Sequence, residues 1–224
     1  MDIAKYIDHT NLKSSATPQD IVQLCQEAIA HKFCAVCVNP INVELASGVL
    51  RDLTIKVCTV VGFPLGATWL EIKQAEATRA LLKGATELDM VINVGALKQG
   101  DWRYVKSEIT VLTKLAHAWN ATLKVIIETS QLTDKEKATA CKLALEAGAD
   151  FVKTSTGFVG VGAVVSDVML MRSAVGPNMG VKASGGIKDF ATAKAMLDAG
   201  ASRLGLSASV AVHQEALAYR PPLF

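Results

Sequence analysis

The segment Gly148-Ala149-Asp150-Phe151-Val152-Lys153 occurs in related form twice more, as Gly84-Ala85-Thr86-Glu87-Leu88-Asp89 and as Gly200-Ala201-Ser202-Arg203-Leu204-Gly205. In each, a glycine closes an amphipathic helix, because glycine accepts the left-handed conformation that helix ends require. A short apolar strand follows, and the fifth residue after the glycine is Lys153, Asp89 or Gly205. A Gly-Ala connector between helix and strand is common by itself. An acid, an amine and a gap at its far end are not what fills a purely structural core.

Working outward from these segments, the same alternation covers the chain. Strands are expected at Ile3–Ile7, Ala35–Val38, Lys56–Val61, Glu87–Ile92, Thr122–Ile127, Phe151–Thr154, Gly180–Ala183 and Arg203–Leu206. Helices are expected at Pro18–His31, Ile41–Leu50, Leu70–Lys83, Asp101–Trp119, Asp134–Ala147, Val164–Val175, Phe190–Ala199 and Ser209–Ala218, with Thr17-Pro18 and Thr133-Asp134 as capped starts. Eight strands alternating with eight helices predict a parallel sheet with helices outside. At this length the simplest closure is one (β/α)8 barrel domain over residues 1–224; an open doubly wound sheet is the alternative. In a barrel, alternate strands fill the same interior layer. The three repeats are strands 4, 6 and 8, so Asp89, Lys153 and Gly205 are expected at one depth. Glu87 and Arg203, two residues earlier, are expected to pair in the layer below.

Composition agrees with a globular protein and excludes other classes. The 224 residues are 50% hydrophobic and 20% charged, and 23 basic against 21 acidic residues leave +2. That balance offers neither a basic footprint for nucleic acid nor a polybasic membrane patch. The charge-free runs are too short for a membrane span, and Asp2, Lys5 and Asp8 stand where an export signal would place its apolar core. Five cysteines, an odd count in a chain that needs no staples, predict a reduced, cytoplasmic protein.

Chemistry in a barrel of this kind sits at the C-terminal ends of the strands. Lys153 ends strand 6 in Phe-Val-Lys-Thr-Ser-Thr-Gly, and Lys182 ends strand 7 in Gly-Val-Lys-Ala-Ser-Gly-Gly. Neighbouring strands lie about 5 Å apart, so two inward lysines hold their amines close. Like charge and burial both lower a lysine pKa, and a neutral amine forms Schiff bases with carbonyls. Asp89 is the natural proton-transfer partner, since an interior carboxylate requires one. Gly185-Gly186 after strand 7 and Ser207 after Gly205 suit a phosphate site built from backbone N–H groups, and Thr156 and Gly157 join it from the loop after strand 6. Cys34-Ala-Val-Cys37 has the spacing of a redox or metal pair, but residues three apart on a strand face opposite sides and no second pair completes a zinc site. Cys37 is expected to face the barrel and Cys34 a helix. His9, His31, His117 and His213 are scattered, show no metal spacing and are expected mostly at the surface or in caps.

Lys153 in Lys-Thr-Ser-Thr-Gly, Lys182 before Ala-Ser-Gly-Gly, Asp89 in Glu-Leu-Asp and the segment Ile7-Asp8-His9-Thr10-Asn11-Leu12 together resemble the deoxyribose-phosphate aldolase family, over nearly the whole chain. The resemblance implies a TIM barrel and a class I aldolase that needs no metal and no cofactor. It implies reversible cleavage of 2-deoxy-D-ribose 5-phosphate to acetaldehyde and D-glyceraldehyde 3-phosphate. It makes Lys153 the Schiff-base lysine, Lys182 the lysine that tunes it and relays protons, and Asp89 the proton shuttle. Asp8, Cys37 and Thr156 become substrate-binding positions, and Gly157, Gly185, Gly186 and Ser207 phosphate-binding ones. Phe158 and Ala208 depart from the pattern, where some members carry a lysine and many a second serine, and both changes are expected to weaken phosphate affinity. The C-terminus, Tyr219 to Phe224, lacks the tail some members end with. The implied partners are small sugar phosphates and aldehydes, with a possible homodimer and no nucleic acid or membrane. Two other readings fit the lysines: a pyridoxal-phosphate barrel with Lys153 holding the cofactor, and a non-catalytic barrel that binds a sugar phosphate.

Overall fold

Strand β8 (Arg203–Leu206) pairs in parallel with strand β1 (Ile7–Asn11), Asp8 opposite Gly205, and this pairing closes the sheet. The computed structural model describes residues 1–220. Between the closing strands lie β2 (Ala35–Val38), β3 (Lys56–Val61), β4 (Glu87–Val91), β5 (Thr122–Ile126), β6 (Phe151–Lys153) and β7 (Gly180–Ser184). All eight are parallel and follow one another round the barrel in chain order. The expected (β/α)8 barrel is therefore the observed one, and the open sheet is not.

The helices form the outer ring: α1 (Pro18–His31), α2 (Val43–Val49), α3 (Leu70–Leu82), α4 (Val94–Lys98), α5 (Trp102–Ala118), α6 (Asp134–Glu146), α7 (Val165–Val175), α8 (Phe190–Asp198) and α9 (Ser209–Ala218). Thr17 caps α1 and Thr133 caps α6. Each accepts a backbone N–H from an acid three residues on, which reaches back to the cap.

Alternation along each strand divides two different interiors. Outward residues such as Val36, Leu88, Met90, Leu123, Val125, Val152 and Val181 pack with the helices in the main apolar core. Inward residues are largely charged or small: Asp8, Glu87, Asp89, Lys124, Lys153, Lys182, Arg203 and Gly205. Among the described residues, Leu12, Cys37, Cys58 and Val60, with Phe63 against them, form an apolar cluster on that side. Burial of apolar surface between sheet and helices thus stabilises the fold, at about 25 cal/mol per Å². The barrel interior is left for chemistry.

Three expectations need correction. The first strand is not Ile3–Ile7: Ala4–Tyr6 is a 3-10 turn and the strand begins at Ile7. Its residues Asp8, His9, Thr10 and Asn11 are polar because they face the site or an outer histidine cluster, and that polarity hides the strand. Among the described residues a ninth helix, α4, fills the connection after β4. Residues 40–42 form a 3-10 turn ahead of α2 rather than its first turn. Of the C-terminal segment, residues 221–224 lie outside the described residues.

Candidate active site

Inward residues of β5, β6 and β7 converge on Asp89. Its Oδ2 accepts from Lys153 Nζ and from Lys182 Nζ, both at 2.7 Å, and its Oδ1 accepts from Lys124 Nζ at 2.9 Å. Register explains the meeting: Lys153 lies opposite Lys182 on β6 and β7, and Asp89 opposite Lys124 on β4 and β5. Lys182 also donates to Asp8, at 2.5 Å. Below this layer Lys124 reaches Glu87 at 2.6 Å, and Arg203 bridges Glu87 at 3.1 Å and Asp8 at 2.7 Å. The expected Glu87–Arg203 pair is present. Gly205 supplies the gap: a Cβ there would lie 3.2 Å from Lys182 Cε and 2.9 Å from Ser184 Cβ.

Four cations and three carboxylates share this space. Burial disfavours ionised Asp89, but Lys124, Lys153 and Lys182 outweigh it and hold the carboxyl well below the usual range. For Asp8, burial is again outweighed, by Lys182, Lys124 and Arg203, and its pKa falls to about 2. Burial by itself favours a neutral Lys182, yet Asp8 and Asp89 together keep it above the ordinary lysine range. The expectation of a lowered pKa therefore does not hold for Lys182, because Asp8 and Asp89 outweigh both burial and the like charge of Lys124. Lys182 is a fixed ammonium beside Lys153.

Lys153 differs from the other three cations in two ways. It makes one carboxylate contact, where Lys182 makes two and Lys124 three. It also lines the open cavity, of about 450 Å³, together with Thr10, Thr156, Gly157, Ser184, Gly185, Gly186, Gly205 and Ser207. On the opposite side the cavity meets Lys13, Asp20, Gln23 and Glu27. Among the described residues Asp8, Asp89, Lys182 and Cys37 do not line this opening. Asp8 and Cys37 are fully buried beneath it, Asp8 as an ion-pair partner and Cys37 against Cys58.

One corner of the cavity is glycine backbone. Gly157, Gly185 and Gly186 all have φ near +80°, which side chains with a Cβ rarely adopt. A Cβ on Gly185 would lie 3.0 Å from Gly162 Cα and 3.2 Å from Gly157 Cα, so the loops after β6 and β7 touch through backbone. With Ser207 after β8 this is a corner in which N–H groups can face an anion. Phe158 stands beside it with its ring edge-on to Phe63, centroids 5.2 Å apart, and Ala208 packs against the outer core.

Donor atoms of Cys37, Cys58 and Asp89 lie within 4.8 Å of one another. Both Asp89 oxygens already accept from ammonium groups, and Cys58 Sγ is 3.3 Å from Lys124 Nζ, so the place a cation would take is filled by lysines. Cys34 is half-buried at the strand entry. Burial raises its thiol. The histidines also differ from expectation. His9 and His213 are buried: His9 meets Ser209 Oγ at 2.9 Å and Glu27 at 2.7 Å, and His31 and His213 share a hydrogen bond of 3.1 Å around Phe33.

Two residues at this site do not follow from the sequence reading. Lys124 stands between Leu123 and Val125, and a charge at an inward position of an apolar strand was the available signal. Glu128, directly after β5, is buried and bonds Thr156. No motif distinguishes it. Among the described residues no helix is long and apolar enough to cross a membrane.

Comparison with known proteins gives the same identification. Residues 3–215 match the model of the DeoC/LacD family aldolase. A deoxyribose-phosphate aldolase of Thermococcus gammatolerans is 60% identical over 214 residues, 95% of each chain. One of Halalkalibacterium halodurans is 57% identical over 211 residues, 94% of each chain. The solved deoxyribose phosphate aldolase of Aeropyrum pernix, described as a tetramer, superposes with a TM-score of 0.90 at 38% identity, covering 96% of this chain and 91% of that one. With its barrel, its lysine pair and these relatives, the chain belongs to the DeoC/LacD family of aldolases.

Proposed function

We propose that the chain reversibly cleaves 2-deoxy-D-ribose 5-phosphate into D-glyceraldehyde 3-phosphate and acetaldehyde through a Schiff base on Lys153. The observation that carries this reading is the shared Asp89 Oδ2, 2.7 Å from both Lys153 and Lys182, with Lys153 alone of the interior lysines lining the cavity. As a free amine, Lys153 attacks the C1 aldehyde of the open-chain sugar. Loss of water gives an iminium, which withdraws electrons from the C2–C3 bond. The C3 hydroxyl gives up its proton, the C2–C3 bond breaks, and its electron pair forms an enamine on Lys153. Glyceraldehyde 3-phosphate leaves, C2 takes a proton, and hydrolysis returns acetaldehyde and the amine. Asp89, Lys182 and a water molecule move these protons. Lys182 is held as an ammonium by Asp8 and Asp89 and shares Asp89 Oδ2 with the Lys153 amine. Asp8 acts from beneath by holding Lys182.

The phosphate binds at the Gly157, Gly185, Gly186 and Ser207 corner, through N–H groups rather than a cation. Phe158 and Ala208 add no charge there, so phosphate affinity is weaker than a lysine would make it. A cytoplasmic location and a homodimer belong to the same reading. The thiols of Cys25 and Cys141, pushed up to about 11 and 12 by burial, are unreactive core groups. The dimer rests on resemblance alone, and light scattering decides it.

Borohydride trapping tests the mechanism. The protein is incubated with acetaldehyde or 2-deoxyribose 5-phosphate, reduced and digested, and the added mass is mapped. An adduct on Lys153 is expected. An adduct on Lys182 would exchange the lysine roles, and none on folded protein would overturn the Schiff-base mechanism.

A further inference from the structure

Glu128 is a buried carboxylate that the reaction as derived does not use. Among the described residues four non-glycine positions have positive φ: Lys32, Asp52, Asn120 and Glu128. The first three are exposed, whereas Glu128 is 1% exposed, with φ 55° and ψ 66°. A left-handed backbone is unfavourable for a residue with a Cβ and persists where its surroundings hold it.

Those surroundings are the loop after β6. Glu128 Oε2 accepts from Thr156 twice, from the N–H at 3.1 Å and from the hydroxyl at 2.6 Å. Thr129 N–H donates to Thr154 O at 2.9 Å, tying the same two loops by backbone. Glu128 Oε1 is buried and unpartnered, and no cation is within ion-pair distance of the carboxylate among the described residues. Thr156 Oγ1 in turn accepts from Phe158 N–H at 3.1 Å.

A threonine hydroxyl has one hydrogen and two lone pairs. Here the hydrogen is committed to Glu128 and one lone pair to Phe158. One lone pair remains, and Thr156 lines the cavity beside Lys153 and Gly157. Towards a ligand Thr156 Oγ1 can therefore only accept. Phosphate oxygens and carbonyl oxygens are acceptors too and gain nothing from it, whereas a sugar hydroxyl can donate to it.

We propose that Glu128 is a positioning residue: it fixes Thr156 Oγ1 as an acceptor, so that the site recognises a hydroxyl of the substrate at this point. The proposal rests on the reading of Lys153 as the Schiff-base lysine. The hydrogen bonds that hold Glu128 in its left-handed conformation are the same ones that orient Thr156.

The test uses Glu128→Ala, Glu128→Gln, Thr156→Val and the double variant Glu128→Ala/Thr156→Val. Acetaldehyde carries no hydroxyl, so borohydride trapping of acetaldehyde counts competent Lys153 sites in each protein. Cleavage of 2-deoxyribose 5-phosphate is then measured per competent site. The expected result is a fall in kcat/KM of about tenfold or more for Glu128→Ala and for Thr156→Val. Glu128→Gln, which keeps an acceptor oxygen, recovers most of the rate. Added to Thr156→Val, Glu128→Ala costs less than about a further twofold. A Glu128→Ala loss that vanishes on normalisation, or one that persists undiminished in the Thr156→Val background, overturns the proposal. Should Glu128→Ala not fold, Thr156→Val decides: a tenfold loss supports the proposal and a loss below twofold overturns it. Failure of wild-type protein to trap acetaldehyde would instead strike the Schiff-base reading.

Discussion

Replacing Lys124 with methionine removes one cation from the barrel interior while nearly keeping its volume. Lys124, Lys153, Lys182 and Arg203 face Asp8, Glu87 and Asp89 there, so the fully ionised cluster carries 4 − 3 = +1. In the variant the count is three against three, and the repulsion between Lys124 and the other cations is gone. Its size at Lys153 follows from geometry. Lys124 and Lys153 sit on opposite oxygens of Asp89, at 2.9 and 2.7 Å. Their ammonium groups are then about 5 Å apart, which at an effective dielectric constant of about 20 is a repulsion of about 3 kcal/mol. At about 1.4 kcal/mol per pH unit, the acid limb of the pH profile of kcat/KM moves up by about two units. The assay is initial rates of 2-deoxyribose 5-phosphate cleavage across about pH 5 to 10, divided by sites trappable with acetaldehyde. On the acid side of the limb the variant should lose up to about a hundredfold, and it should regain most of that at higher pH. Stability should fall by about 3 kcal/mol, since Glu87 and Asp89 lose a buried partner but keep others. A limb that stays in place, or moves to lower pH, refutes the charge argument.

Three further outcomes are expected. Gly205→Ala puts a Cβ 2.9 Å from Ser184 Cβ and 3.2 Å from Lys182 Cε, and displacement of β7 and of that ammonium should lower kcat by about tenfold or more and cost about 1–3 kcal/mol of stability, read by rates and thermal melts together. Lys73 and Glu108 form a fully buried pair between α3 and α5, 2.6 Å apart, that also holds Val91 O and Asn93 N–H at the end of β4. Lys73→Met should cost about 3–5 kcal/mol in urea unfolding, and Lys73→Met/Glu108→Leu should recover much of it. Asp8 has its folded pKa depressed to about 2 from 3.8, so its contribution of about 2 kcal/mol is present above pH 4 and is lost as pH falls from about 4 towards 2; urea midpoints in that window check it, and an Asp8→Asn variant should show a shallower fall.

The sequence carries this fold most clearly where apolar strands alternate with capped helices, and loses it where a strand is polar. Ala35–Val38, Lys56–Val61 and Arg203–Leu206 are legible as drawn, because their outward residues are Val and Leu packed on helices. Asp8, His9, Thr10 and Asn11 of β1 look like a loop, because one face serves the ion cluster and the other the buried histidines. The site follows the same logic. Lys153 ends β6, where position alone marks it. Asp89, Lys182 and Lys124 each stand at the middle of a five-residue strand, and what Lys124 contributes becomes visible only when register brings it onto Asp89. Glu128 is harder still, since its meaning depends on a hydroxyl twenty-eight residues away. In a parallel barrel whose helices form the apolar core, an ionisable residue at an inward position is set there against the cost of burial. Such a residue has a partner across the barrel, and the alternation of a strand tells where to look for it before any coordinates exist. By that rule Lys124 and Glu87, inward on adjacent strands, belong to the same electrostatic unit as the reactive lysine, and substitutions at either should move its pH profile before they unfold the barrel.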